Sequence, residues 1–274
     1  MKAKCAICPR MCDLDPGQHG FCGARSNIDG KVICESYGKA TSIALDNIEK
    51  KPLRMFHPGS KILSMGSYGC NMRCPFCQNH NISMPEGAPD IFDVTPEALV
   101  KKALSLKELG NIGIAYTYNE PTVGYEYVLD CSKLAHEEAL KNVMVTNGYI
   151  SEGPLTMLLP FIDAMNIDLK CFRDDFYQKI GGNLEIVLNT ISIAAKHTHV
   201  EVTALIIPGE NDCPGEMLAL SQWLSNVNDE IPLHISRFFP RHKYQDVAPT
   251  PVDTINTLVS IARKFLRNVF AGNC

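Results

Sequence analysis

From residue 59 onward one pattern recurs: a short apolar run, then a segment of helical character. Six such runs stand at Lys61–Ser67, Ile112–Tyr118, Asn142–Thr146, Asp163–Asp168, Val200–Ile207 and Pro232–Phe238. They are apolar enough to be strands covered on both faces. Helical segments near Thr122–Leu140, Glu152–Leu159, Leu184–His197, Glu216–Val227 and Val252–Leu266 separate most of them. The clearest opens on Thr95-Pro96-Glu97, an N-cap, a first-turn proline and an acid, and runs to a C-capping Gly110. Strands alternating with helices require a parallel sheet with helical crossovers. The expected fold is therefore α/β, with residues 59–274 forming a partial (β/α)6 TIM-like barrel. Chemistry in such a barrel collects at the C-terminal ends of the strands. Cys70, Asn119-Glu120-Pro121, Thr146-Asn147-Gly148, Asp168 with Lys170, and Pro208-Gly209-Glu210-Asn211 all fall there.

Residues 1–58 read differently: closely spaced cysteines, turns at Pro16-Gly17, His19-Gly20 and Asp29-Gly30, and little helical periodicity. They are expected to form a small Cys-rich metal-binding lobe. Cys5, Cys8, Cys12 and Cys22 supply four thiolates, enough for zinc or a second iron–sulfur cluster, with Cys34 as a substitute ligand. The chain has 12 cysteines, and no apolar signal region follows Met1-Lys2-Ala3-Lys4. A reducing, cytoplasmic setting is expected, where clustered cysteines serve metal or redox chemistry rather than disulfides. Cys131, Cys171, Cys213 and Cys274 stand apart and read as ordinary thiols. The net charge of −4, with no polybasic stretch, gives no support to nucleic-acid or anionic-membrane binding. Apolar runs such as Thr203–Pro208 are far too short to cross a bilayer.

Cys70, Cys74 and Cys77 have the spacing C-x3-C-x2-C. A structural zinc site or a fully protein-bound [4Fe–4S] cluster needs four ligands. Three in one loop leave one iron open, which makes a cluster a place for chemistry. The plainer alternative is zinc with a fourth ligand from elsewhere, such as His80.

The three-cysteine spacing, with aromatic Phe76 just before the last cysteine, resembles the signature of the radical S-adenosylmethionine (SAM) superfamily. The resemblance implies that SAM chelates the open iron and is cleaved to a 5′-deoxyadenosyl radical that takes hydrogen from a substrate. It places Phe76 by the adenine and Glu120 as acceptor for the SAM amino group. Tyr118-Asn119-Glu120-Pro121 resembles the superfamily's Gly-Gly-Glu-Pro without its glycines. Thr146-Asn147-Gly148 and Asp168-Leu169-Lys170 resemble segments of glycyl-radical-enzyme activating enzymes, although Val145 stands where those carry an acid. The implied SAM-site residues are thus Phe76, Asn119, Glu120, Thr146, Asn147, Asp168 and Lys170. Lys170 joins the three cysteines in the chemistry. Asp168 and Lys170, two apart on a strand, face one side, whereas His234 and Arg237 face opposite sides; these two and His242 are weaker candidates.

Longer segments narrow the resemblance: Cys5-x2-Cys8-Pro9-Arg10-x-Cys12, Asp46–Leu53, Gln78-Asn79, Tyr116–Pro121, Thr146–Ile150 and Ile207–Asp212. Together they resemble the radical SAM component of the AmmeMemoRadiSam system, a branch related to pyruvate formate-lyase activating enzymes. This implies an electron donor such as flavodoxin or ferredoxin, and a protein or small-molecule substrate. The alternatives are a glycyl-radical activase, a non-enzymatic zinc or iron–sulfur module, and zinc-dependent hydrolysis; the last lacks a His-Glu-x-x-His motif.

Overall fold

Seven parallel strands, one more than the sequence pattern predicts, carry the barrel. The computed structural model describes residues 1–84 and 90–274. The main sheet comprises β1 (Ser42–Asn47), β2 (Lys61–Gly66), β3 (Asn111–Tyr116), β4 (Lys141–Thr146), β5 (Ala164–Asp168), β6 (His199–Ile206), β7 (Leu233–Arg237) and β8 (Val269–Gly272). Their order follows the sequence from β1 to β8. β2 to β8 run parallel, and β1 pairs antiparallel along β2 from Asn47↔Lys61 to Ser42↔Gly66. The six expected strands are β2–β7. The seventh, β8, aligns Val269 with Leu233 and Gly272 with Ser236. Residues 42–47, expected within the Cys-rich segment, form β1 at the edge of the main sheet.

The helices of six or more residues among those described are α1 (Pro96–Ser105), α2 (Tyr125–Glu137), α3 (Glu152–Leu158), α4 (Asp174–Lys179), α5 (Leu184–Ala194), α6 (Pro214–Asn228) and α7 (Val252–Ala262). α1 starts where its capping chemistry says: the Thr95 hydroxyl accepts from Ala98 N, with Pro96 in the first turn. Leu99, Val100 and Ala103 give it one buried face, laid on α2 and β3. A short 3₁₀ turn then ends at Gly110, whose φ of 89° provides the left-handed stop. Ala164, Met165, Asn166 and Ile167 of β5 are all buried, as a strand covered on both sides must be.

The β1–β2 connection plugs the base of the barrel. Ile48 and Leu53 pack on Ile62, Ala115, Val143 and Ala164. Beside them Glu201 accepts from Arg54 N (3.0 Å), Met55 N (2.8 Å), His199 Nε2 (2.9 Å) and His234 Nε2 (2.6 Å). Burial works against this carboxylate, yet the bonds from His199, His234 and the two amides outweigh it and hold its pKa at about 2. A folded-state value below the ordinary 4.5 means the contribution is fully present above pH 4.5 and is lost as pH falls toward 2. The shift corresponds to roughly 3 kcal/mol. Glu201→Gln is expected to lower the urea midpoint at pH 7 and to flatten its decline between pH 5 and pH 2.5. Equal acid sensitivity in both proteins would assign the acid lability elsewhere.

In the N-terminal lobe, Arg25–Ile28 pairs with Lys31–Cys34 across Asp29 (φ 52°) and Gly30 (φ 81°), the left-handed pair expected of a two-residue hairpin turn. Asn27 ties the lobe together, donating to Met1 O and Leu14 O, both at 2.8 Å. Arg25 joins it to α2 through a forked contact with Glu126 at 2.7 and 2.6 Å.

Candidate active site

The three-cysteine loop leaves the C-terminal end of β2 and is fixed before it reaches its first cysteine. Gly69 has a φ of 94°, and a Cβ there would meet Ala24 Cβ at 2.5 Å and Cys22 O at 3.0 Å. Only glycine fits that crossing. Asn119 holds the loop from β3: its Oδ1 accepts from Ser67 N (3.0 Å) and its Nδ2 donates to Tyr68 O and Gly69 O (both 3.2 Å). The far side is held by Arg73 N to Ile180 O and Lys243 N to Pro75 O, both 2.8 Å.

Cys70, Cys74 and Cys77 line one cavity of about 290 Å³ together with Phe76, Asn119, Glu120, Thr146, Asn147, Asp168 and Lys170. These are all the residues expected at the SAM site, delivered by the ends of β2, β3, β4 and β5. Sequence reasoning missed Tyr118, Thr203, Ser236 and Asn273, which line the same space. Thr203 and Ser236 follow the inward period of β6 and β7, a signal that was available in the strand pattern.

Glu120, 3% exposed, joins the ends of β3 and β4. Its Oε1 accepts from Thr122 N (3.0 Å) and Thr146 Oγ1 (2.8 Å), and its Oε2 accepts from Asn147 N (2.8 Å). Burial pushes its carboxyl up against the opposing pull of those donors. Asn147 turns its amide toward the cysteines: Nδ2 donates to Asn71 Oδ1 at 2.8 Å and lies 3.8 Å from Cys70 Sγ. Phe76 is buried, stacked on Phe176 with ring centres 6.0 Å apart.

Lys170 Nζ donates to Asp168 Oδ2 at 2.9 Å. Burial disfavours the ammonium, but Asp168 and Cys74 outweigh it and raise its pKa above the ordinary value. Lys170 in turn opposes the burial that pushes the Cys74 thiol up to about 11. Burial, then Glu120 and Cys74, also raises the Cys70 thiol. Loading a metal group would therefore displace protons from these thiols. Three thiols, a neighbouring ammonium and polar donors form a set that suits a three-thiolate iron–sulfur cluster.

The weaker candidates lie elsewhere. His234 is buried at the base of the barrel against Glu201, which removes it from the site. The reason is register: it stands second in β7, at the end opposite the cysteines. Arg237 turns away to Thr250 O and stacks against Phe239 at 4.9 Å. His242 stacks on His80 at 4.5 Å, and His80 Nδ1 lies 3.3 Å from Cys77 O.

Cys5, Cys8, Cys12 and Cys22 line a second void, of about 20 Å³. Cys34 is not among its walls; its Sγ lies 3.4 Å from Ser36 Oγ. Burial pushes the Cys8 thiol up to about 11, with Cys5, Cys12 and Cys22 adding to the rise. Among the described residues, no group of three His, Cys, Asp or Glu side chains is set to hold a single metal ion. Cys171 donates to Glu216 at 2.8 Å, Cys131 is buried, and Cys213 and Cys274 are exposed.

The sequence profile of the radical SAM superfamily matches residues 64–220. A Methanocaldococcus jannaschii protein named only as uncharacterized is 44% identical over 278 residues, covering 99% of this chain and 81% of its own. Pyruvate formate-lyase 1-activating enzyme of Escherichia coli is 23% identical over 198 residues, 70% of this chain and 79% of its own. Two solved structures share the fold. TYW1 with a lysine-pyruvate adduct bound has a TM-score of 0.53 at 18% identity, over 88% of this chain and 86% of its own. Streptococcus suis SuiB bound to S-adenosylmethionine has a TM-score of 0.56 at 12% identity, over 75% of this chain; the chain spans about half of SuiB's length, 48%. No described helix is long and apolar enough to cross a membrane.

Proposed function

The chain belongs to the radical SAM superfamily, and from that premise we propose that it cleaves SAM reductively and takes hydrogen from a protein or small-molecule substrate. The observation that carries this reading is the sharing of one cavity by Cys70, Cys74 and Cys77 with Glu120, Asn147, Asp168 and Lys170. The chemistry that a bound [4Fe–4S] cluster and SAM would supply here is one-electron reductive cleavage of the sulfonium. Cys70, Cys74 and Cys77 would hold the cluster through their thiolates. Asn147 Nδ2, 3.8 Å from Cys70 Sγ, donates to a sulfur that carries charge once metal is loaded. Lys170 offsets charge beside Cys74 and is kept in place by Asp168. Phe76, braced by Phe176, provides an apolar wall for the adenine. Glu120 Oε2 accepts one protein hydrogen bond and keeps capacity for the SAM amino group. A donor such as flavodoxin or ferredoxin would supply the electron.

For the substrate, the AmmeMemoRadiSam-like segments favour a protein or small molecule other than a glycyl radical enzyme. The activase reading draws on the 23% identity to pyruvate formate-lyase 1-activating enzyme. The test is anaerobic reconstitution with iron and sulfide, reduction, addition of SAM and assay for 5′-deoxyadenosine. Product is expected from the reduced protein and not from the oxidised one. A loaded cluster with no 5′-deoxyadenosine, even with cell extract as a source of substrate, would overturn the reading.

A further inference from the structure

The chemistry proposed above leaves the four cysteines of the N-terminal lobe without a task. Cys5, Cys8 and Cys12 are brought round by a tight reversal, in which Cys5 N donates to Cys12 O at 3.0 Å and Met11 N to Cys8 O at 3.1 Å. Met11, at φ 47°, closes it in the left-handed region. Cys22 arrives from the opposite side on a turn that joins Gly20 N to Arg25 O at 2.7 Å. A Cβ on Gly20 would lie 3.9 Å from both Cys12 Sγ and Cys22 Sγ, so the two sulfurs share the space over one glycine.

Two observations indicate what this place takes. Zinc–thiolate bonds of about 2.3 Å draw four sulfurs onto one point and leave nothing between them. Here the four thiols surround a void of about 20 Å³, wider than one ion needs. Arg25, which lines the same void, is 4% exposed. Its two terminal nitrogens are spent on Glu126 and Val123 O, while its buried Nε–H finds no acceptor among the described residues. A buried donor without a partner is costly, and a cluster sulfur would supply one. Arg10, also on the wall, adds a second cation to balance a four-thiolate cluster.

We propose that Cys5, Cys8, Cys12 and Cys22 hold a second [4Fe–4S] cluster, fully ligated by thiolates and closed to SAM. It stands directly behind the first. Cys22 O accepts from Cys70 N at 3.1 Å, and Arg10 Nε donates to Asn71 O at 2.9 Å, so the lobe's group braces the loop that carries Cys70.

The experiment removes the other cluster first. A full-length protein with Cys70→Ser, Cys74→Ser and Cys77→Ser is reconstituted anaerobically, and its iron, sulfide and zinc are measured beside its electron paramagnetic resonance spectrum after reduction. It should retain about half the iron and sulfide of the unaltered protein, in equal amounts. Adding Cys8→Ser and Cys12→Ser should remove that remainder, with circular dichroism reporting whether the fold persists. A triple variant that is folded but free of iron, or that carries zinc without sulfide, would overturn the proposal. So would iron that persists after Cys8→Ser and Cys12→Ser. Failure of SAM cleavage is read separately, from 5′-deoxyadenosine made by the unaltered chain.

Discussion

Cys74→Ser is expected to bring 5′-deoxyadenosine formation down to the protein-free background while leaving the fold in place. A serine hydroxyl matches the thiol in size but does not ionise at neutral pH, so it is a poor iron ligand. No neighbouring thiol can take over, because the lobe's cysteines lie behind the loop and Cys22 reaches Cys70 only through its backbone carbonyl. The loop itself is held by contacts that Cys74 does not make: Asn119 to Tyr68 O and Gly69 O, Arg73 N to Ile180 O, and Lys243 N to Pro75 O. Near-ultraviolet circular dichroism and thermal midpoint should therefore move little. If the variant cleaves SAM at the unaltered rate, Cys74 is not a ligand and the reading of the loop fails.

Glu120→Ala should produce the largest loss of stability at the site. Its carboxylate receives Thr122 N, Thr146 Oγ1 and Asn147 N, and the change strands these donors beside the cavity. Stranded buried donors cost about 1–3 kcal/mol each. Burial already raises the Glu120 carboxyl, so deleting it also relieves a desolvation cost. Water entering from the cavity offsets more, and the net loss should be about 2–3 kcal/mol in urea denaturation. Glu120→Gln separates the roles. Its oxygen can keep Thr122 N and Thr146, but its amide then faces the Asn147 N–H, donor against donor. The Gln variant should lose less stability than the Ala variant, about 1 kcal/mol for the one stranded amide, and should weaken SAM binding, measured by equilibrium dialysis. Equal stability of the Ala variant and the unaltered protein would remove Glu120 from the joint between β3 and β4.

Most of the barrel was legible because its strands are apolar on both faces and its helices carry explicit caps, as at Thr95 and Gly110. The strands that escaped are those without such marks. Val269–Gly272 is four residues long and follows a polar pair, Arg267-Asn268, so periodicity has nothing to act on. Ser42–Asn47 has no fully buried residue and lies beyond the cysteines, where its partner β2 could not be inferred. The residues lining the cavity were legible as strand-end polar groups. Their connections were not: Asn119 spends its side chain on the cysteine loop rather than on open space, and the bond of Asn147 to Asn71 joins positions 76 apart in sequence. His234 shows the opposite failure, since a strand names a face but its register decides which end of the barrel a residue reaches.

The antiparallel strand β1 has a consequence for how this protein can be taken apart. The cysteine-rich segment looks like a detachable module, and a clone beginning at residue 59 would look like a complete catalytic barrel. Such a clone would expose the backbone edge of Lys61–Gly66 along the whole Ser42–Asn47 register. It would also lose Ile48 and Leu53 from the base, and Asp46, which accepts from Lys51 Nζ and Tyr118 Oη at 2.7 Å each. The smallest transferable unit is therefore the barrel with Ser42–Leu53 attached, and a graft between relatives should exchange the two together.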